Sequence, residues 1–192
     1  MMMKKLAWAA LLAASLPLVH GCAALLVGGA ATAVVVADDR RTPSMVVQDQ
    51  EIELRAMNRL REAFPGNNVS VSTVSYNRQV LLVGQVPDEA TRAKVTEVIR
   101  AIPAVGKVQN ETAISGVLSY TSGANDAALT TKVKARILES GKVSSNHVKV
   151  VTESSVVYLM GLVRKDEAET AAKIAASTSG VARVVTLFEY ID

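Results

Sequence analysis

Asp126-Ala127-Ala128-Leu129-Thr130-Thr131-Lys132-Val133-Lys134-Ala135-Arg136-Ile137-Leu138 spaces Leu129, Val133 and Ile137 four residues apart, which predicts one apolar face of a helix. Asp49, Ile52, Ala56 and Leu60 carry the same pattern at an offset of 77. In both copies an Asp stands three residues ahead of the first apolar position and reads as a helix N-cap. Recurrence at one offset marks an internal duplication.

Alternating segments follow each helix: Val69-Ser70-Val71-Ser72 in the first copy and Val148-Lys149-Val150 in the second. A turn comes next, read as Ser75-Tyr76-Asn77-Arg78 and Glu153-Ser154-Ser155, with the span from Val69 to Val80 two residues longer than that from Val148 to Val157. The runs Val80-Leu81-Leu82-Val83-Gly84 and Val157-Tyr158-Leu159-Met160-Gly161 are apolar on both faces. One face is expected to pack on helices, the other on the sister unit or a partner. Asp88-Glu89-Ala90 and Asp166-Glu167-Ala168 open a second helix. Its apolar face is read as Val95, Val98, Ile99 and Ile102 in one copy and Ala171, Ala172, Ile174 and Ala175 in the other. A last strand runs from Val105 and Val108 to Ile114, and from Val181 and Val184 to Ile191. Ser115 to Gly123 joins the units. The reading is α+β: two tandem α-β-β-α-β units, each a small three-stranded mixed sheet on two helices. Units this small have marginal cores, which favours packing on each other.

Ahead of the repeats, Lys4 and Lys5 precede an apolar run from Leu6 to Leu18. That length suits a signal peptide, whereas a spanning helix needs ~20 residues. The run ends in Leu18-Val19-His20-Gly21-Cys22, which contains the one cysteine of the chain. A small residue followed by cysteine resembles the lipobox of bacterial lipoproteins, although Val19 and His20 are not its usual residues. The resemblance implies that Cys22 carries S-diacylglycerol and, after cleavage, an N-acyl chain such as palmitate. Ala23 rather than Asp after the cysteine implies sorting to the outer membrane. Ala23 to Ala37 is small and apolar, and Asp38 to Gln48 reads as a polar linker with Arg40, Arg41 and Pro43.

Removing Lys4 and Lys5 takes the net charge from +3 to about +1, so the basic balance belongs partly to the precursor. Export, near-neutral charge and few aromatics disfavour a nucleic-acid partner. With Cys22 acylated, no thiol remains for a metal site or a nucleophile. His20 leaves with the signal peptide, and His147 is read as an exposed loop residue. One histidine makes neither a metal site nor a catalytic triad. No catalytic residue, metal site or non-covalent cofactor is expected.

Two α-β-β-α-β units with Val-x-Leu-x-Gly and x-Val-x-x-Val patterns, behind a lipobox, resemble BON domains. Asn125-Asp126, Thr130-Thr131-Lys132-Val133, Val148-Lys149-Val150, Met160-Gly161-Leu162-Val163 and Ser179-Gly180-Val181 are similar to the dual BON-domain outer-membrane lipoproteins of the DolP group. On that basis residues 1–21 are the signal peptide, 22–48 the lipidated cysteine and linker, 49–115 the first BON domain and 124–192 the second. The resemblance implies a periplasm-facing protein that supports envelope integrity, with enrichment at the division site. It implies binding of anionic phospholipid (phosphatidylglycerol, cardiolipin) through the first helix of the second BON domain. It also links the group to the outer-membrane β-barrel assembly machinery. The alternative expectation is therefore a protein-interaction scaffold, working through the outer face of the second strands (Tyr158, Met160) or the sheet edges.

Charge singles out the same helix. Lys132, Lys134 and Arg136 outweigh Glu139 and Asp126, and Lys142 follows. Leu138 lies off the buried stripe, with Ala128, Thr131 and Ala135 on its side. The expected phospholipid-binding residues are Ala128, Thr131, Lys132, Lys134, Ala135 and Leu138. At Ala128 the chain departs from the group's best-known member, which has an interfacial tryptophan there.

Overall fold

A computed structural model describes residues 39–66, 68–115 and 123–192. Cys22, the signal segment, the 23–37 stretch and most of the 115–123 connection lie outside the described residues. The first unit is α1 (Pro43–Ala63), β1 (Ser70–Tyr76), β2 (Gln79–Val86), α2 (Glu89–Arg100), β3 (Lys107–Asn110) and β4 (Ala113–Ile114). The second is α3 (Gly123–Ser140), β5 (Val148–Glu153), β6 (Val156–Val163), α4 (Lys165–Ala176) and β7 (Arg183–Tyr190). In each, an antiparallel hairpin has its second strand paired in parallel with the last strand, giving orders β1-β2-β3 and β5-β6-β7. The α-β-β-α-β reading therefore stands, with one break. Asn110 turns inward to bond Thr96 Oγ1 and the Arg92 carbonyl of α2, and it accepts from the Thr112 amide. That contact divides the first unit's last strand into β3 and β4, both paired to β2.

The opening helix starts earlier than its hydrophobic face suggests. Thr42 caps α1 by accepting from the Met45 amide at 3.2 Å, and Pro43 takes the first turn, so residues 43–48 are helix rather than linker. Likewise Gly123 already belongs to α3. The expected face is correct: Ile52, Ala56 and Leu60 are buried in one unit, Leu129, Val133 and Ile137 in the other. Asp49 and Asp126, however, are not caps. Both sit on the buried face and reach across to the hairpin turn.

Asp49 accepts from the Asn77 and Arg78 amides at 2.7 and 2.8 Å and from Ser75 Oγ at 2.7 Å. Asp126 accepts from the Ser154 and Ser155 amides at 2.8 and 2.9 Å. These turn residues all have positive φ: 49° and 66° in one copy, 50° and 62° in the other. Two-residue hairpins need that conformation, and glycine or asparagine usually supplies it. A left-handed non-glycine residue costs roughly 1–2 kcal/mol, whereas a hydrogen bond to a charged group returns roughly 1.5–3 kcal/mol. The buried carboxylate thus holds a turn that Arg78 in one copy, and Ser154 and Ser155 in the other, disfavour. The two turns are equal in length, because Val71 rather than Val69 matches Val148: each pairs with the strand glycine, Gly84 or Gly161.

Those glycines are required by close approach. A Cβ on Gly84 would lie 2.1 Å from the Ser70 carbonyl oxygen, and one on Gly161 2.3 Å from that of His147. Gly84 also has φ of +118°.

The second helices align two residues differently from the reading above. Asp88 is the N-cap of α2 and accepts from the Thr91 amide at 2.7 Å, whereas Asp166 lies within the first turn of α4. In α4 the third-position Glu167 reaches back to the Arg164 amide at 2.8 Å. Val95, Ile99 and Ile102 are buried in the first core and Val98 is partly buried; in the second, Ala171, Ala175 and Ala168 are buried, with Ala172 and Ile174 partly so.

The two sheets meet through a third apolar cluster. Tyr76, Leu81 and Val83 from the first unit pack with Tyr158, Met160 and Leu187 from the second. The outer face of the second strands is therefore covered by the sister unit. Tyr158 is 3 % exposed and Met160 1 %, which removes the scaffold surface proposed for them. Polar links frame this contact: Lys149 Nζ to Glu53 at 3.1 Å, and Asn77 Nδ2 to Glu189 at 2.8 Å.

Candidate functional site

The outer side of α3 carries the expected residues. Ala128, Thr131, Lys132, Lys134 and Ala135 are exposed, and Leu138 is 64 % exposed. They do not form one patch. Thr131, Lys134, Ala135 and Leu138 line a groove of about 570 Å³ that runs between α3 and the start of β5. Lys132 points to the other flank, where its Nζ donates to the Ser179 carbonyl at 3.2 Å. Arg136 is also committed there, donating to the Ile174 carbonyl at 3.1 Å and to Thr178 Oγ1 at 2.7 Å. It closes the C-terminal end of α4, where a cation is favoured by the helix dipole. Ala128 does not line the groove.

The rest of the groove comes from elsewhere in the chain. Ser145, Asn146, Val148 and Lys149 belong to the second unit, Arg41 and Tyr76 to the first. Sequence reasoning placed Arg41 in a linker and Lys149 in a strand pattern, so neither was a candidate. The hint for Lys149 was a charge inside an otherwise apolar strand start.

Most of this charge is spent internally. Arg41 stands 4.0 Å above the Tyr76 ring and is held by Asp39 at 2.7 Å and Asp49 at 3.0 Å. Lys149 is held by Glu53 and the Ser75 carbonyl. Among the described residues, Lys134 is the groove cation with no anionic partner. Beside it Leu138 presents an apolar side chain to solvent. A cation with a long apolar stem next to an exposed leucine suits an interface with an apolar interior and an anionic surface.

Asp39, Arg40 and Arg41 tie the start of the described chain to both units. Arg40 grips Glu167 with both guanidinium nitrogens, at 2.6 and 2.9 Å, and donates to the Leu162 carbonyl at 2.8 Å. Arg40's hydrogen bonds hold the Glu167 carboxyl at about 2, against the opposing effect of burial and with help from the Arg164 amide. His147 differs from its expected exposure: its side chain is 12 % exposed, with Nδ1 3.9 Å from Glu167. Among the described residues no group of three His, Cys, Asp or Glu side chains could hold a metal ion, and no helix is long and apolar enough to cross a membrane.

Two BON domains match this chain, at residues 48–116 and 125–192. Outer membrane lipoprotein DolP of Haemophilus influenzae is 36 % identical over 174 residues, covering 90 % of each chain. The 21 kDa hemolysin of Actinobacillus pleuropneumoniae is 28 % identical over 80 % of each chain. Osmotically-inducible protein Y of Escherichia coli is 29 % identical over 61 % of this chain and 60 % of its own. The fold and the paired matches define a tandem BON-domain protein. Within that class the chain belongs to the outer-membrane lipoprotein family of the DolP type. None of these relatives is named as an enzyme.

Proposed function

We propose that this protein is held at the periplasmic face of the outer membrane by acyl chains on Cys22, and that it binds anionic phospholipid there. Contact is made by the groove side of α3, through Lys134, Leu138, Thr131 and Ala135, while Ala128 and Lys132 lie outside it. The observation that carries this reading is Leu138, 64 % exposed beside a lysine with no anionic partner among the described residues. A lysine near an anionic surface contributes ~1 kcal/mol, and burying a leucine side chain roughly 1.5–3 kcal/mol. Such a site is weak alone. Tethering through Cys22 raises its effective concentration, so the same contact is strengthened in the anchored protein. Supporting outer-membrane integrity, including at the division site, follows as the cellular role.

The test is flotation of residues 38–192 with phosphatidylglycerol-rich, cardiolipin-containing or phosphatidylcholine vesicles at low and moderate salt. Selective flotation that weakens with salt is expected. Equal behaviour with all three vesicles would sink the reading.

A further inference from the structure

The first unit has its own groove at the equivalent place, of about 660 Å³, between α1 and the outer strand β1. Leu54 and Met57 project into it from the helix, 55 % and 41 % exposed, and Phe64, Val69 and Val71 add apolar surface. We propose that this groove takes an extended segment of another polypeptide. The segment adds as a strand to the open edge of β1, with alternate apolar side chains in the groove and an acidic side chain at the Arg61 end.

The edge itself argues for a strand. Ser75 directs its backbone outward: its amide donates to Glu53 at 2.8 Å and its carbonyl accepts from Lys149 at 3.3 Å. Strand alternation then turns the backbones of Thr73 and Val71 outward too. Among the described residues nothing meets those groups. Thr73 Oγ1 is likewise buried without a hydrogen-bond partner among the described residues. The groove is lined by Val69 to Thr73, the stretch left open before the Glu53–Lys149 closure begins.

Proteins usually blunt such edges with charge, proline or a bulge. The sister strand β5 carries Lys149 and Glu153, whereas β1 reads Ser-Val-Ser-Thr-Val-Ser-Tyr and carries no charge. Adding a strand satisfies the free backbone groups, and pockets for alternate side chains then supply selectivity. Charge decides the partner's end residue. Glu53 is neutralised by Lys149, whereas Arg61 lines the open end with no ion-pair partner among the described residues. The uncompensated charge of the groove is thus positive, and its complement is a carboxylate.

The experiment uses the full lipid-anchored protein in phosphatidylcholine nanodiscs, with amide hydrogen exchange read at Val71 and Thr73. The probe is the blocked peptide acetyl-Val-Thr-Val-Thr-Val-Thr-Glu-amide, whose valines and glutamate share one face, and the control has proline in place of its central valine. The peptide is expected to slow exchange at both amides on the order of tenfold, with no effect from the control. Arg61→Glu is expected to weaken the peptide about tenfold and to favour a lysine-ended version. Leu54→Lys, at an exposed helix position, is expected to abolish the protection with the fold kept. Unchanged exchange at saturating peptide overturns the proposal. Protection by the nanodisc alone assigns the groove to acyl chains, and protection that rises with protein concentration assigns it to a second copy; either also overturns it.

Discussion

In the first unit the groove beside the opening helix is lined by Leu54, Met57, Arg61 and Ser72; at the same repeat positions the second unit has Thr131, Lys134, Leu138 and Lys149. The backbone around them is held by shared parts: a buried Asp that pins the hairpin turn, a strand glycine under a facing carbonyl, and three apolar residues four apart. The residues that build the unit have stayed alike, while those that face outward have exchanged chemistry. Among the described residues, one groove offers apolar surface and open backbone; the other offers a lysine without an anionic partner beside a leucine, against an edge blunted by charge. A duplicated fold can thus carry two binding modes because the site is separable from the scaffold.

The comparison breaks first if the shared parts are not equivalent. Gly84→Ala and Gly161→Ala each drive a Cβ into a backbone carbonyl, at 2.1 and 2.3 Å. Each is expected to cost about 4 kcal/mol or more, beyond ordinary overpacking, seen as a lower urea midpoint. A mild effect at either position would mean that the two hairpins are built differently. Next come Asp49→Ala and Asp126→Ala. Each strands two turn amides with positive φ, at a cost on the order of 3 kcal/mol. Ser154→Gly with Ser155→Gly is expected to recover a part of the Asp126→Ala loss, because glycine adopts that turn freely. Failure to recover any would show that the carboxylate does not act through the turn.

How far this was readable from sequence follows from where each interaction partner lies. The helices and strands were legible because their apolar spacing is local. The Asp role was not: an Asp three residues before an apolar stripe resembles a cap, and the competing cap Thr42-Pro43 lay in what looked like linker. The true partners of Asp49, Asn77 and Arg78, are distant in sequence and met only through the fold. The basic face of α3 was half legible. Lys134 and Leu138 meet in the groove, but Lys132 and Arg136 are taken by the Ser179 carbonyl and by Thr178, acceptors that helical periodicity does not reveal. Arg41 and Lys149 come from other elements altogether.

The units also differ at the start of the second helix. In the first, Asp88 caps α2 at an exposed position. In the second, Glu167 is buried and joined to Arg40. Its carboxyl is lowered from 4.5 to about 2 on folding. A lowered folded value means stability that is complete above about 4.5 and lost as pH falls toward 2. The net shift corresponds to on the order of 3 kcal/mol, with the Arg40 hydrogen bonds its largest cause. Glu167→Gln is therefore expected to lower stability at pH 7 and to flatten its decline between pH 4.5 and 2, as read by urea midpoints across pH. An unchanged profile would remove Arg40 as the brace between the start of the described chain and the second unit.

The smallest effect separates the two grooves most directly. Lys134→Glu reverses the charge of the groove cation that has no anionic partner among the described residues, and Leu138→Glu removes its apolar neighbour; both positions are exposed, so folding is expected to persist. Each is expected to reduce flotation with phosphatidylglycerol vesicles by about tenfold, equivalent to ~1.4 kcal/mol. Met57→Glu stands at the repeat position of Lys134, in the groove assigned to a polypeptide strand, and is expected to leave flotation unchanged. If Met57→Glu weakened flotation as much as Lys134→Glu, both grooves would face the membrane, and the division of labour between the units would fail. If only the second-unit changes act, the exchange of residues at matched positions is what gives one copy its lipid surface.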